Sequence, residues 1–398
     1  MSDKKLPNKT LSRLVSKFLK WYLGNIFILS LERNATKEIK PPYLVIGNHT
    51  NFYDGFLVNL FIQEPICFLV SDEYFRKPLL KWLLTIEGSI PKKKFLADFT
   101  AIKEALKAKA AGRIIGIFPE GKRNWDGSTE EIIFATAKLI KMLNIPVVRA
   151  LMKGSYLAFP RWASYKRKGK ISFSYDLVLT PEKIQELSIE QIHQDIQKSL
   201  SYSEYDFQRE IMNIYRGKNL AEKLELYLFL CPHCHQLGSL HSYGDILKCQ
   251  SCSYEVQYNQ FGFFNSRKQL LYFDNPANWN QWQVNYSNDL LKKYYKNRSE
   301  EIFIKDKGVC LNKINEHNKM DTKKGCQLVL KGERLALENK SSGNLDFFLT
   351  LIKGINVQYN DHLEFYYRNE LYQFYFDLPS VSAYKWCKII QLAQNIIS

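Results

Sequence analysis

No stretch of the 398-residue chain stays apolar for the ~18 to 20 residues that a membrane-spanning helix requires. The first ten residues, MSDKKLPNKT, are polar and lead into no cleavable apolar core, so no signal peptide is expected. There is no internal repeat, no low-complexity tract and no Gly-x-Ser-x-Gly elbow to hold a serine nucleophile on a strand-to-helix turn. Cysteine is too unevenly spaced for a disulfide framework. Four of the eight lie in two Cys-x-x-Cys pairs, and Cys67, Cys310, Cys326 and Cys387 are scattered. That usage fits metal ligation in a reducing compartment and a protein facing the cytoplasm. Acidic residues are also in short supply: 40 Asp and Glu against 56 Lys and Arg leave a net charge of +16. A surplus of this size suits nucleic acid, an anionic membrane surface or a phosphorylated substrate, and charge alone does not choose among them.

What is present is enough for several cores. Apolar residues make up 45% of the chain, and at roughly 150 residues per domain the length predicts two or three domains. In residues 11–31 (LSRLVSKFLKWYLGNIFILSL), Leu11, Leu14, Val15, Phe18, Leu19, Tyr22, Ile26 and Leu29 recur at helical spacing. Arg13, Lys17, Lys20 and Gly24 fall on the other side. With Trp21 and Phe27, such a helix suits the plane of an anionic bilayer, and it equally suits docking on its own domain.

From residue 41 strands alternate with helices. YLVIGN, ICFLV, RIIGIF and IPVVRALMKG read as strands. DGFLVNLFI, EYFRKPLLKWLLTI, DFTAIKEALKAKAAG and EEIIFATAKLIKML read as helices, the third capped by Asp98 or Thr100 and closed by Gly112. The pattern predicts an α/β domain with a mostly parallel sheet flanked by helices. The expected organisation is an N-terminal amphipathic helix (1–40), the α/β domain (41–225), a cysteine module (226–262), a partly helical connector (263–300) and a small β-rich, pleckstrin-homology-like domain closed by a helix (301–398).

Two turns of the α/β domain carry chemistry. In NHTNFYDG (48–55), His49 follows a strand and Asp54 opens the next helix. Functional groups of open α/β sheets gather at the carboxyl ends of strands. A carboxylate folded back onto the imidazole fixes its tautomer, stabilises the imidazolium and leaves the other ring nitrogen as a base. In IFPEGKRNWDG (117–127), Phe118 and Pro119 end a strand, and Gly121 permits a tight turn whose backbone is open to a ligand. Glu120, Lys122 and Arg123 then project at the same edge, where a guanidinium grips phosphate through two hydrogen bonds and an ammonium adds a point charge.

Together these stretches resemble the glycerolipid acyltransferases, best represented by the lysophosphatidate (1-acyl-sn-glycerol-3-phosphate) acyltransferases, over roughly residues 10 to 220. The first family block, Asn-His-x-x-x-x-Asp, matches Asn48, His49 and Asp54, with Asn51 where many members carry Ser. The block Phe-Pro-Glu-Gly-Thr-Arg-Ser matches Phe118 to Arg123, with Lys122 and Asn124 replacing Thr and Ser. Ile145, Pro146 and Val147 match the apolar-Pro-apolar block. Gly88, Ser89 and Ile90 fit the loosest block, whose phosphate-binding arginine is replaced by Lys94 in the run Lys92 to Lys94.

The resemblance implies transfer of a fatty acyl group from a thioester, acyl-coenzyme A or acyl carrier protein, to a hydroxyl of a lysophospholipid or glycerol-phosphate acceptor, without a catalytic cofactor. It assigns His49 as general base and Asp54 as its orienter. Lys94, Gly121, Lys122 and Arg123 are placed around the acceptor phosphate, and Glu120 organises the pocket. It needs no covalent acyl-enzyme, in keeping with the missing serine elbow. Lys cannot reproduce the two-pronged contact of Arg, so the phosphate site is expected to depart from the family's. The basic surplus then faces anionic substrates and an anionic membrane, where each nearby Lys or Arg adds about 1 kcal/mol of attraction. A peripheral, cytoplasm-facing membrane enzyme is the expectation.

Cys231, Cys234, Cys249 and Cys252 form two Cys-x-x-Cys pairs fourteen residues apart. Each pair presents two thiolates from a tight turn, and together they predict a structural Zn²⁺ in a zinc ribbon, with Gly244-Asp245 turning the intervening hairpin. His233, His235 and His241 are near in sequence, but four cysteines suffice. Four thiolates leave no open position for a substrate. The competing class is a catalytically inactive scaffold, membrane-associated or binding nucleic acid. The ribbon's few basic residues, chiefly Lys248, argue against nucleic acid.

Overall fold

The computed structural model describes residues 9–92, 98–266, 270–297, 301–314, 320–339, 343–378 and 381–397. The chain divides into two compact units, Met1–Arg161 with Lys166–Gly217, and Trp162–Tyr165 with Lys218–Ser398.

The first unit opens with α1 (Lys9–Ile26) and β1 (Ile28–Asn34) and continues through β2 (Leu44–Gly47), α2 (Asp54–Asn59), β3 (Ile66–Ser71), α3 (Pro78–Glu87), β4 (Ile90–Lys92) and α4 (Phe99–Ala110). Then come β5 (Ile114–Ile117), α5 (Ala135–Leu143), β6 (Val147–Lys153), α6 (Ser155–Ala158), β7 (Lys170–Leu179), α7 (Pro181–Glu186), α8 (Ile189–Leu200) and α9 (Glu204–Ile211). The strands form one sheet in the order β1-β7-β6-β2-β5-β3-β4. It is the mostly parallel sheet the sequence predicts, with β7 antiparallel to β6. Every residue of β2 and β5 is buried, as central strands covered on both faces must be. Leu44, Ile46, Ile115 and Ile117 pack with Leu139, Ile140 and Leu143 of α5 and with Ile192, Ile196 and Leu200 of α8.

Local chemistry explains most element ends. Asp98 caps α4 by accepting from the Ala101 N–H at 3.0 Å. Ser188 and Gln191 form a reciprocal capping box on α8. Two starts differ from expectation. The helix expected from Glu73 begins at Pro78, because the residue before proline is driven extended; Lys77 has φ −91° and ψ 118°. The helix expected from Glu130 begins at Ala135. The N–H groups of Glu130, Ile132 and Ile133 are taken by Glu120 Oε2, Gln197 Oε1 and the Pro119 carbonyl, so tertiary bonds keep that segment out of the helix.

The arc that the spacing marks is not the face that docks: Leu11, Leu14, Phe18 and Tyr22 are exposed, and Val15, Leu19, Ile26 and Leu29 are half-buried. Leu23 and Phe27 are fully buried, and α1 packs on α2 and α3, whereas Leu14, Phe18 and Trp21 stay exposed, Trp21 by 66%. Phe27 therefore belongs to the core and not to an outward aromatic face. No described helix is long and apolar enough to cross a membrane.

The second unit holds a four-stranded antiparallel sheet of β8 (Leu240–Tyr243), β9 (Ile246–Cys249), β10 (Glu255–Tyr258) and β11 (Phe264–Asn265). The β8–β9 hairpin turns at Gly244-Asp245 as expected, with Gly244 at φ +59°. The connector is mainly one helix, α10 (Pro276–Lys296). Its buried Gln283 accepts from the N–H groups of Phe229 and Leu230 and donates to the Tyr227 carbonyl. After it come β12 (Ile302–Ile314), β13 (Met320–Lys331), β14 (Arg334–Glu338), β15 (Leu345–Phe348), β16 (Ile352–Gln358), β17 (His362–Tyr367) and β18 (Glu370–Phe376). They form an antiparallel sheet in the order β15-β14-β13-β12-β18-β17-β16, and α11 (Ala383–Ile397) packs against it through β16 and β17.

Candidate active site and thiol cluster

Three neighbouring parallel strands, β6, β2 and β5, end at one sheet edge. The loop after β2 carries His49, the turn after β5 carries Glu120 to Arg123, and Ser155 follows β6. The edge is where an open α/β sheet exposes backbone groups and clefts to a ligand.

His49 Nδ1 lies 2.9 Å from Asp54 Oδ2. Asp54 is completely buried; the same oxygen accepts the N–H groups of Thr50 at 2.6 Å and Asn51 at 2.7 Å, and Oδ1 accepts Ser155 Oγ at 3.1 Å. A carboxylate held on four sides cannot rotate, so the imidazole it faces is fixed in plane and tautomer. Nε2, the other ring nitrogen, has no protein partner among the described residues, and the side chain is 22% exposed. The ring stacks on Phe118 at 4.3 Å between centroids, and Phe118 stacks on Phe68 at 5.3 Å. Burial lowers the His49 pKa, Asp54 opposes that, and the Arg123 and Arg161 charges lower it further. The neutral imidazole, the form that accepts a proton, is thus the one present at neutral pH.

The turn after β5 is tied to this loop. Glu120 Oε1 accepts the His49 N–H at 2.7 Å, and Oε2 accepts from Glu130 N at 3.1 Å and Asn124 Nδ2 at 3.3 Å. Asn124 N donates to the His49 carbonyl at 2.8 Å. Burial raises the Glu120 pKa to about 8. Gly121 sits at φ +70°, where a Cβ would run into Ile133 Cδ1. Arg123 is desolvated, which lowers its pKa, and its guanidinium lies 5.9 Å from the Phe52 ring.

Of the residues singled out in the sequence, His49, Asp54, Glu120, Gly121 and Arg123 come together. Lys122 instead pairs with Glu130 at 2.8 Å and is 42% exposed. Lys94 lies outside the described residues; Lys92, of the same run, ends β4, and burial lowers its pKa. Ser155, the Phe118 platform and Arg161 were missed. None belongs to a local pattern with His49, and only the Gly-Ser at the end of the β6 sequence hinted at a turn.

In the second unit, the sulfurs of Cys231, Cys234, Cys249 and Cys252 lie within 4.8 Å of one another. The Cys231–Cys252 and Cys234–Cys249 separations are 3.6 and 3.7 Å. A tetrahedron with Zn–S bonds of about 2.3 Å has edges of about 3.8 Å, so the donor set and its spacing fit that ion. The two pairs share one local geometry. His235 N bonds to the Cys231 carbonyl and Ser253 N to the Cys249 carbonyl, at 3.0 and 3.1 Å, with φ +58° at His235 and +62° at Ser253. Ser239 Oγ lies 3.2 Å from Cys249 Sγ. His235 is bonded to Tyr286 and His233 stacks on Tyr254, so neither histidine joins the cluster.

Residues 29–153 match the family model described as Acyltransferase, a span that takes in His49, Asp54, the turn at 118–123 and Pro146. A 1-acyl-sn-glycerol-3-phosphate acyltransferase of Borreliella burgdorferi is 29% identical over 119 residues, 29% of this chain and 47% of that protein. The chain thus spans about half the length of that curated relative. Among solved structures, the 1-acyl-sn-glycerophosphate (LPA) acyltransferase PlsC from Thermotoga maritima aligns with a TM-score of 0.43 at 17% identity, covering 53% of this chain and 83% of that one.

Proposed function

We propose, from the premise that residues 29–153 form an acyltransferase-family domain, that this chain moves a fatty acyl group from a thioester to a hydroxyl of a phosphorylated glycerol. The acceptor is 1-acyl-sn-glycerol 3-phosphate, and the donor is acyl-coenzyme A or acyl carrier protein. The observation that supports it most directly is the His49 Nδ1–Asp54 contact at 2.9 Å, at the sheet edge that also carries Arg123.

His49 Nε2 removes the proton from the acceptor hydroxyl as its oxygen bonds to the thioester carbonyl carbon. Asp54 holds the Nδ1 proton and stabilises the imidazolium. Collapse of the tetrahedral adduct breaks the C–S bond, and the imidazolium returns the proton to the departing sulfur. Glu120 keeps loop and turn in register, and Arg123 and the Gly121 turn receive the phosphate, with Lys94 and Lys122 adding charge at its margin. Leu14, Phe18 and Trp21 of α1 rest in the outer face of an anionic bilayer on its cytoplasmic side, where the acceptor resides. The four cysteines hold a structural Zn²⁺ that takes no part in transfer.

The test is acyl transfer by the full chain and by His49→Ala, with acyl-coenzyme A and acyl carrier protein thioesters offered against lysophosphatidate, glycerol 3-phosphate and a lysophosphodiester. Transfer that falls by about 10²–10⁴ in the folded variant supports the base assignment and identifies both substrates. No transfer by the wild type, with zinc and vesicle binding intact, sinks the enzyme reading in favour of a scaffold.

A further inference from the structure

Arg161 belongs to none of the family blocks and follows α6 in the turn Phe159-Pro160-Arg161. Its guanidinium is nevertheless buried, with 4% of the residue exposed. Nη1 donates to the Arg123 carbonyl at 2.6 Å, and the guanidinium carbon lies 4.3 Å from the Trp125 ring centroid. The Trp125 carbonyl in turn accepts Tyr156 Oη at 2.8 Å, so the indole under the cation is anchored to α6.

Taking a cation out of water is costly, and a buried one is kept where an anion or a π face compensates it. The Trp125 indole offers such a face to Arg161. Arg161 also stands beside Arg123, and the charges of both reach His49. Two guanidiniums at one sheet edge make a stronger positive field than a singly charged phosphodiester would call for. A phosphate monoester carries about −1.5 to −2 at neutral pH and offers three terminal oxygens. Guanidinium forks match such oxygens in pairs.

We propose that Arg161 is the second guanidinium of the acceptor site: it holds the Arg123 turn in place and selects a terminal phosphate monoester over a phosphodiester headgroup. The assignment rests on the acyl-transfer reading above and names a residue of that site.

The test compares the full chain with Arg161→Gln and Arg161→Lys, using one acyl thioester and two acceptors, 1-acyl-glycerol 3-phosphate and lysophosphatidylglycerol. In Arg161→Gln the KM for the monoester rises by about 30-fold or more, as for the loss of one partner of a buried charge pair, with kcat changed only a few-fold. The KM for the phosphodiester moves far less. The acid limb of kcat/KM shifts to higher pH, because one of the two positive charges near His49 is gone while Asp54 and Arg123 remain. Arg161→Lys restores part of the monoester preference. An unchanged monoester KM, or equal changes for both acceptors, overturns the proposal. Should Arg161→Gln fail to fold, the same comparison in Arg161→Lys decides, since losing the fork must still cost the monoester more than the diester.

An activity-independent readout separates the two readings. Inorganic phosphate raises the melting temperature of the wild type and raises it less in the Arg161 variants. If the wild type transfers no acyl group, the acyl-transfer reading fails, and this phosphate shift still decides for or against Arg161. A phosphate shift equal in wild type and variants overturns it.

Discussion

The Glu120 carboxyl holds His49 by its backbone, accepting the His49 N–H at 2.7 Å while the neighbouring Asn124 N–H donates back to the His49 carbonyl at 2.8 Å. The loop bearing the base and the turn bearing Arg123 are therefore one piece. Glu120→Ala leaves the N–H groups of His49 and Glu130 without acceptors. At about 1 to 3 kcal/mol per stranded group, a large loss of melting temperature is expected, together with a fall in kcat beyond that of the unfolded fraction. Glu120→Gln, which keeps one carbonyl acceptor, should lie between; equal activity in Ala and wild type would refute the tie.

Buried carboxyls make stability depend on pH. Glu204 is fully buried, bonded to Gly154 N and Tyr202 Oη at 3.2 Å each, and burial raises its pKa to about 8; Glu120 is raised to about 8 and Glu87 to about 7. Between pH 4.5 and these values the folded chain holds protons that the unfolded chain releases. Their contribution is complete below about pH 4.5 and is lost as pH rises toward 8. For Glu204 the effect is on the order of a few kcal/mol. Melting temperature should fall from pH 5 to pH 8.5, less steeply in Glu204→Gln; identical slopes would contradict this.

Gly116 on β5 lies against Phe68, on which Phe118 and then the His49 ring stack. A Cβ at Gly116 would meet Phe68 Cδ1 at 2.5 Å and Ile66 Cγ2 at 2.6 Å. Gly116→Ala should cost about 1 to 3 kcal/mol as overpacking. It should also lower kcat by displacing the imidazole's platform. Unfolding and steady-state kinetics measure the two effects, and full activity in the variant would show the stack to be passive.

Metal analysis should find one zinc per chain, lost in Cys249→Ser and released by strong chelators with a drop in thermal stability. Retained zinc in that variant would place the ion elsewhere.

Vesicle sedimentation tests α1. Phe18→Ala/Trp21→Ala should bind anionic vesicles about a hundred-fold or more weakly, from about 1.5 to 3 kcal/mol for each of the two lost apolar side chains. Undiminished binding would remove α1 from the membrane contact.

Short-range chemistry made much of this legible in the sequence. The Cys-x-x-Cys turns, the Asp98 cap, the Gly244-Asp245 hairpin and the carboxylate reaching back from Asp54 to His49 all act within a few residues. Backbone geometry alone confines what they can do. The alternation of strand and helix patterns likewise announced a parallel sheet, because strands buried on both faces must be apolar throughout.

Other features needed the whole fold. Ser155 reaches Asp54 across 101 residues and Arg161 reaches Arg123 across 38. Both contacts exist because β6 lies beside β2 and β2 beside β5, an order that side-chain packing chooses and no local pattern encodes. The late start of α5 has the same origin, since Glu120, Pro119 and Gln197 outbid the next helical turn for its N–H groups. The sequence by itself determined that α1 would be amphipathic. That Leu23 and Phe27, outside the arc its spacing marks, face the core while Leu14, Phe18 and Trp21 remain exposed was settled only by the surface it docks on.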